Sequence, residues 1–135
     1  TLHMNYSEIF FNTKEISMSV YKDIISEDFQ LTVENTVKDK NKNVLDIISE
    51  LNRCACRVQR SIVYASCRCG CIKLSSEDKG ITGRLCEKCR YSLERELGGV
   101  MFAVAALSSY CDISMYDVLL TEKRYVELLG NYMFI

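Results

Sequence analysis

Five of the eight cysteines lie within a window of 23 residues, the densest group of chemically reactive side chains in the sequence. Cys67, Cys69 and Cys71 read C-R-C-G-C, and Cys86 and Cys89 read C-E-K-C. Thiolates held close together are unfavourable unless a metal ion neutralises them or they are oxidised in pairs to disulfides. The spacing therefore predicts either a metal site or disulfide bonds in this segment.

The same spacing indicates which cysteines would hold a metal ion. The C-x-x-C pair Cys86 and Cys89 lets two sulfurs reach one ion, and it stands at a predicted helix start, where the dipole favours thiolates. Cys69 and Cys71 form the natural second pair, while Cys67 is a spare or replaces one of them. We predict structural zinc bound by Cys69, Cys71, Cys86 and Cys89, with disulfides, an iron–sulfur cluster and free buried thiols as alternatives.

The rest of the sequence favours zinc. The one histidine, His3, precedes Met4 in a segment that resembles a vector remnant, so all ligands are expected to be cysteines. No signal peptide and no membrane-spanning run is recognised, which predicts a cytoplasmic protein without membrane contact, in a reducing compartment where disulfides are rare. Cys54, Cys56 and Cys111 are expected to be small core or surface residues.

Composition and charge limit the fold and the partners. The chain has 135 residues, 48% of them hydrophobic, and no proline, which suits one compact and mainly helical domain. The net charge of −1 predicts no partner, but residues 51–95 hold ten Lys or Arg against four Asp or Glu. Positive charge therefore surrounds the cysteines, where it can offset thiolates or attract an anionic partner.

Hydrophobic periodicity predicts an all-α protein. The cysteines fall between two of its long helices, where they are expected to form a zinc-binding insertion. The predicted elements are a helix over residues 16–29, a polar linker over 37–43, a helix over 44–66, a loop or short β-hairpin within 67–83 with a strand at 71–74, a helix over 85–110 and a helix over 115–129. Residues 1–43 are expected to form an N-terminal helical segment and linker. Residues 44–135 are expected to form the main helical domain, with the insertion at 67–89.

Two features of the last two helices carry further predictions. Gly98 and Gly99 lie in the middle of the second long helix, where each costs about 1 kcal/mol relative to alanine, so they predict a close helix contact or a group bound near the backbone. Ser114 and Asp117 resemble a capping box at the start of the last helix. The residues expected to point inward are Leu93, Leu97, Val100, Met101, Val104 and Leu107, followed by Val118, Leu119, Val126 and Leu129.

Three stretches together resemble a known family. They are residues 47–53 (I-I-S-E-L-N-R), 93–102 (L-E-R-E-L-G-G-V-M-F) and 113–119 (I-S-M-Y-D-V-L). In this order they are similar to the MazG-like nucleotide pyrophosphohydrolases, over residues 44–130. The resemblance implies a helical bundle that assembles as a dimer or higher oligomer. It also implies that carboxylates from two helices hold magnesium, which bridges the phosphates of a nucleoside triphosphate while water attack releases pyrophosphate.

The resemblance also assigns roles to residues. Glu50 and Glu96 match the first carboxylate of each acidic pair and are the candidate catalytic residues. Arg53 and Gly99 stand where the second carboxylates are expected, and Asp46 lies on the same face as Glu50 and can replace one of them. Arg53 is expected to attract the phosphates of a ligand. The simpler alternative is that Glu50 and Glu96 are ordinary surface acids.

Three functional hypotheses follow. The first is a divergent MazG-like protein with structural zinc that binds a nucleotide or other phosphate-bearing ligand, with weak or no pyrophosphohydrolase activity. The second is an active pyrophosphohydrolase that depends on magnesium. The third is a zinc-braced module that binds nucleic acid. The arginines on which the third hypothesis rests are Arg53, Arg57, Arg60, Arg68, Arg84 and Arg90.

Overall fold

The computed structural model describes residues 24–77 and 80–130. Within these ranges the chain is mostly helical with one small β-hairpin, in agreement with the predicted all-α class. The helices are α1 (Ile24–Asp39), α2 (Val44–Tyr64), α3 (Glu87–Tyr110) and α4 (Met115–Leu129). Between α2 and α3 lie a π-helical turn (Ala65–Cys69) and the strands β1 (Ile72–Leu74) and β2 (Ile81–Gly83).

Helix α1 continues into the predicted polar linker. Val33 and Val37, four residues apart on one face, are both buried in the hydrophobic core. Because Val37 packs in the core, the helix runs on to Asp39, and the linker prediction is wrong for residues 37–39. The chain turns at Asn41, whose φ of 53° is in the left-handed region that asparagine tolerates. The predicted helical residues 16–23 lie outside the described residues.

Helix α2 starts where the sequence predicts, because Asn43 forms a capping box. The Asp46 N–H donates to Asn43 Oδ1 at 3.0 Å, and the Asn43 N–H donates to Asp46 Oδ2 at 3.1 Å. Two of the backbone donors at the helix start are thereby satisfied. Ile47 and Cys54 are the buried residues of this helix, and its most extensive packing is against α3.

A tight connection links α2 to α3. The π-helical turn ends at Gly70, which has a φ of 77° and donates its N–H to the Ala65 carbonyl at 3.0 Å. Strand β1 then pairs antiparallel with β2, so the predicted hairpin strand is confirmed to within one residue. Gly83 is required in β2, because a Cβ there would lie 2.6 Å from the Cys71 carbonyl oxygen.

The core depends on alanines of α3 more than on its large side chains. Ala103, Ala105 and Ala106 are almost completely buried, whereas the predicted core residues Leu97 and Met101 are 47% and 41% exposed. Since α3 packs against α1, α2 and α4, small residues let those helices approach closely. The prediction of an inward face at Leu97 and Met101 is therefore wrong.

Helix α4 spans the predicted residues, and its N-cap is confirmed. Ser114 Oγ accepts the Asp117 N–H at 3.4 Å, and Met115 is buried in the core. The predicted inward residues Val118, Leu119, Val126 and Leu129 are all exposed in this single chain, so that part of the prediction is wrong. Among the described helices, none is by itself long and apolar enough to cross a membrane. Helices α3 and α4 meet that standard only when taken together, and they are bent by 111° at their connection.

Replacing Gln30 with alanine is expected to lower the free energy of unfolding by about 1–3 kcal/mol. Its side chain ties α1 to the α3–α4 connection: Nε2 donates to the Ile113 carbonyl at 2.8 Å, and Oε1 accepts the Met115 N–H at 2.7 Å. Truncation leaves both backbone groups without this partner. Urea unfolding measures the change, with Thr32→Ala on the exposed side of α1 as a control. An equal effect of the two substitutions would contradict the assignment.

Candidate metal centre and adjoining cleft

The connection between α2 and α3 brings four cysteines to one point. Cys69 ends the π-helical turn, and Cys71 follows the left-handed residue Gly70. Cys86 is the N-cap of α3, and Cys89 lies in the first turn of that helix. The four-cysteine cluster therefore joins the end of one long helix to the start of the next. The predicted ligands Cys69, Cys71, Cys86 and Cys89 are the ones that the fold brings together.

The spacing of the sulfur atoms suits a single metal ion. All four Sγ atoms lie within 4.8 Å of one another. The distance between Cys69 Sγ and Cys86 Sγ is 3.8 Å. Four sulfurs placed about 2.3 Å from a tetrahedral ion would be about 3.8 Å apart, so little movement would be needed to bind one.

The protein environment favours one thiolate over its neighbours. The backbone N–H of Cys89 donates to Cys86 Sγ at 3.4 Å. That hydrogen bond is the largest cause that lowers the pKa of Cys86 to about 7. Burial raises the pKa of Cys89 to about 12, and the hydrogen bond with Cys86 raises the pKa of Cys69. A bound cation would favour the deprotonated form of all four thiols.

The other cysteines lie apart from the cluster. Cys67, two residues before Cys69, is exposed and is not in the group of four. Cys54 is buried, and Cys56 and Cys111 are exposed. All eight cysteines are within the described residues, and none of them forms a disulfide.

A small apolar cluster supports this end of the molecule. Ala65, Ile72 and Cys89 are buried together, and Leu85 packs against them. This cluster is separate from the main core formed by α1, α2, α3 and the start of α4. The four-cysteine cluster thus lies where the apolar contacts are few and a metal would add most to stability.

A cleft of about 650 Å³ is lined by residues of α1, the α1–α2 loop, α2 and α3. Its described lining includes two phenylalanines and two aliphatic residues: Phe29, Phe102, Val37 and Ile47. Its charged lining comprises Lys40, Lys42, Arg53, Arg95, Asp46 and Glu50. Four cations face two carboxylates, so this basic cleft carries a net charge of +2 from its described lining. Such a lining attracts anionic ligands.

Side-chain contacts position residues in the lining of the basic cleft. Arg53 forms an ion pair with Glu50 on the same helix, and Cys54 Sγ donates to Glu50 Oε1 at 3.5 Å. The Tyr110 hydroxyl donates to the Lys42 carbonyl, which anchors the loop between α1 and α2. Arg53, the residue predicted to attract phosphates, therefore lies beside Glu50 in the lining of the basic cleft.

The two candidate catalytic residues lie in different surroundings. Glu50 lines the basic cleft, whereas Glu96 is not among its described lining residues. Helix α3 presents Arg95, Gly98 and Phe102 to the cleft, at a spacing of three and four residues, and Glu96 is one position round the helix. Among the described residues, the four cysteines are the one group of three or more cysteine, histidine or acidic side chains placed to hold a metal ion.

Gly99 is a point of close helix contact. A Cβ added there would lie 2.8 Å from Cys54 Sγ, which is closer than real Cβ atoms approach. A Cβ at the adjacent Gly98 would meet no described neighbour within 4 Å. The predicted close contact is therefore confirmed at Gly99, where the resemblance leads one to expect an aspartate.

Three of the cleft's cations have no ligand-binding role in the predictions from sequence. Lys40 and Lys42 lie in the predicted polar linker, and no role is predicted for Arg95. A signal was present, because Lys40 and Lys42 immediately precede the capped start of α2, and helix N-termini attract anions. The contribution of Arg95 depends on how α3 lies against α2, which local sequence does not reveal.

Comparison of the chain with models of known families, with curated proteins and with solved structures found no match. The resemblance to the MazG-like proteins therefore remains a prediction from the three sequence stretches alone.

Proposed function

We propose that this protein is a zinc-braced helical module that binds a phosphate-bearing ligand, a nucleotide, in the basic cleft. The observation that carries the proposal is the cleft itself, whose lining combines cations of α2, α3 and the α1–α2 loop with two phenylalanines. In this proposal the four-cysteine cluster stabilises the fold and takes no part in chemistry.

Zinc suits the donor set of the four-cysteine cluster. Thiolates are soft ligands that bind zinc well and magnesium or calcium poorly. Four sulfurs fill every position of a tetrahedral ion, so no site remains for water or substrate. A closed site of this kind has a structural role, because an ion without an open position cannot activate a nucleophile.

A nucleotide suits the basic cleft in both size and chemistry. Ligand sites commonly occupy about 300–1,000 Å³, and this cleft has about 650 Å³. Phe29 and Phe102 offer aromatic surface to a base. Arg53 and Arg95 can donate paired hydrogen bonds to phosphate oxygens, which lysines cannot do as rigidly.

Weak or absent hydrolysis is part of the proposal. Magnesium needs hard oxygen ligands, and the described acidic residues of the cleft are Asp46 and Glu50. Glu50 is already paired with Arg53, and Gly99 supplies no carboxylate. These features favour retention of an intact nucleotide over attack on its phosphates. An active magnesium-dependent enzyme is the alternative that the experiment below also tests.

Nucleotide affinity is expected to fall about tenfold or more for Arg53→Gln and for Arg95→Gln, because each removes a charge-assisted hydrogen bond to phosphate. Calorimetric titration of the zinc-loaded protein with nucleoside mono-, di- and triphosphates, with and without magnesium, measures the change. Arg57→Gln is the matched control, since Arg57 is an exposed arginine one turn along α2 and outside the cleft.

Two results would contradict the proposed function. No binding of any nucleotide, or equal losses in all three variants, would show that the basic cleft is not the site. Release of pyrophosphate with repeated turnover that disappears in Glu50→Gln would replace a binding module with an active pyrophosphohydrolase. Inorganic phosphate and tripolyphosphate, titrated in parallel, show whether the base contributes to affinity.

A further inference from the structure

A second groove lies beside the four-cysteine cluster, between the last turns of α2 and the first turns of α3. Its volume is about 350 Å³, and its described lining is Arg60, Ser61, Tyr64, Lys88, Cys89 and Ser92. None of these residues lines the basic cleft. We call this feature the Tyr64 groove. It contains two cations, and none of its described lining residues is acidic.

The hydroxyl groups and cations of the Tyr64 groove face one another across the two helices. Ser61 Oγ of α2 and Ser92 Oγ of α3 are 3.5 Å apart. Arg60 adjoins Ser61, and Lys88 lies one turn before Ser92, so each helix contributes one cation and one serine hydroxyl. Hydroxyls and basic side chains are the groups that most often contact nucleic-acid phosphates.

Aromatic surface accompanies this charge. Tyr64 lines the groove and is 45% exposed, and Tyr91 on the first turns of α3 is 67% exposed. Exposed aromatic rings beside a basic groove are the arrangement on which single-stranded bases stack, with each stacked base worth about 1–3 kcal/mol. An acidic peptide would use the cations but would gain little from the rings.

We propose that the Tyr64 groove binds the backbone of single-stranded nucleic acid, with a base stacked on Tyr64. The groove lies within the segment 51–95, which has a net charge of +6, so neighbouring phosphates would also be attracted. Cys89 also lines the groove, so a metal ion bound by the four-cysteine cluster would fix the start of α3 relative to the end of α2. This inference goes beyond the proposed function, since it concerns a different surface and a polymeric ligand.

The two sites share no described lining residue. Arg53 of the basic cleft and Arg60 of the Tyr64 groove are seven residues apart on α2, which corresponds to about 10 Å along the helix axis. Substitutions in one site can therefore be made without removing a side chain from the other. This separation provides the controls for the experiment.

Fluorescence anisotropy with a labelled 12-nucleotide oligo-uridine and the zinc-loaded protein tests the inference. We expect saturable binding that weakens as salt concentration rises. The double variant Arg60→Gln with Lys88→Gln should lose about tenfold or more in affinity and reduce the salt slope by about 1.4, the value for two phosphate contacts on a single strand. Tyr64→Leu should weaken binding and leave the salt slope unchanged, because it removes stacking and no charge.

Lys123→Gln is the matched control: Lys123 is an exposed cation of α4 outside the described linings of both sites, and its replacement should leave oligonucleotide affinity unchanged. Nucleotide titration of the Arg60 and Lys88 double variant should match the unmodified protein, so a failure here is distinguishable from a failure of the proposed function. Absence of saturable binding would overturn the inference, as would equal competition by polyglutamate, which would indicate an acidic peptide partner. Loss of zinc from the double variant would also overturn it, by showing that Arg60 and Lys88 serve to neutralise the four-cysteine cluster.

Discussion

Chelation of zinc from the reduced protein is expected to lower its free energy of unfolding by about 10 kcal/mol, enough to unfold a domain of this size. Among the described residues, those with an exposure of 1% or less are all alanines, so the described part of the apolar core is thin. Loss of the ion would remove the four metal–sulfur bonds that join the end of α2 to the start of α3. Thermal unfolding followed by circular dichroism, before and after chelation, measures the loss.

Two neighbouring cysteines provide a matched pair for this prediction. Cys69→Ser removes a ligand and should abolish stoichiometric zinc, whereas Cys67→Ser, on an exposed residue outside the cluster, should keep it. Metal analysis of both variants, purified under reducing conditions, measures the zinc content of each. Unmodified protein that contains no zinc and has the same unfolding temperature after chelation would contradict the prediction. Visible absorbance from bound iron would replace zinc with an iron–sulfur cluster.

The features that sequence predicted well depend on short-range signals. The start of α2 at Asn43 and the start of α4 at Ser114 follow from side chains that hydrogen-bond to backbone three residues away. The four metal-binding candidates likewise follow from two closely spaced pairs, Cys69 with Cys71 and Cys86 with Cys89. The caps and each cysteine pair are set within a few residues, where tertiary packing has little opportunity to override them, whereas Cys69 and Cys86, 17 residues apart, are brought together by the connection between α2 and α3.

The features that sequence missed depend on how helices pack. Leucine and methionine at positions 97 and 101 have the right period for a buried face, yet alanines of the next turns occupy the core because α3 is crowded by its neighbours. Val37 is a second case, since its burial extends α1 beyond the predicted boundary, through Lys38 to Asp39. The basic cleft combines residues from three parts of the chain, and only the fold brings Lys42 and Arg95 into one lining.

Gly99→Asp is expected to lower the free energy of unfolding by about 3 kcal/mol, at the upper end of the range for overpacked sites. The new Cβ would lie 2.8 Å from Cys54 Sγ and 3.7 Å from Cys54 Cβ, and Cys54 is only 2% exposed, so it has little room to move. Gly98→Asp is the matched control. It adds the same side chain one residue earlier, where a Cβ meets no described neighbour, and should change stability by about 0.5 kcal/mol or less.

A second substitution separates steric conflict from the effect of the added charge. In a Cys54→Ala background the conflicting sulfur is absent, so Gly99→Asp should cost at least about 1 kcal/mol less than it does in the unmodified protein, as a double-mutant cycle in urea would measure. Equal costs in the two backgrounds would show that charge, not contact with Cys54, decides the effect. The expected coupling has a functional meaning. At this position the chain has a close helix contact that is incompatible with the carboxylate of a second acidic pair, which favours a role in ligand binding over hydrolysis.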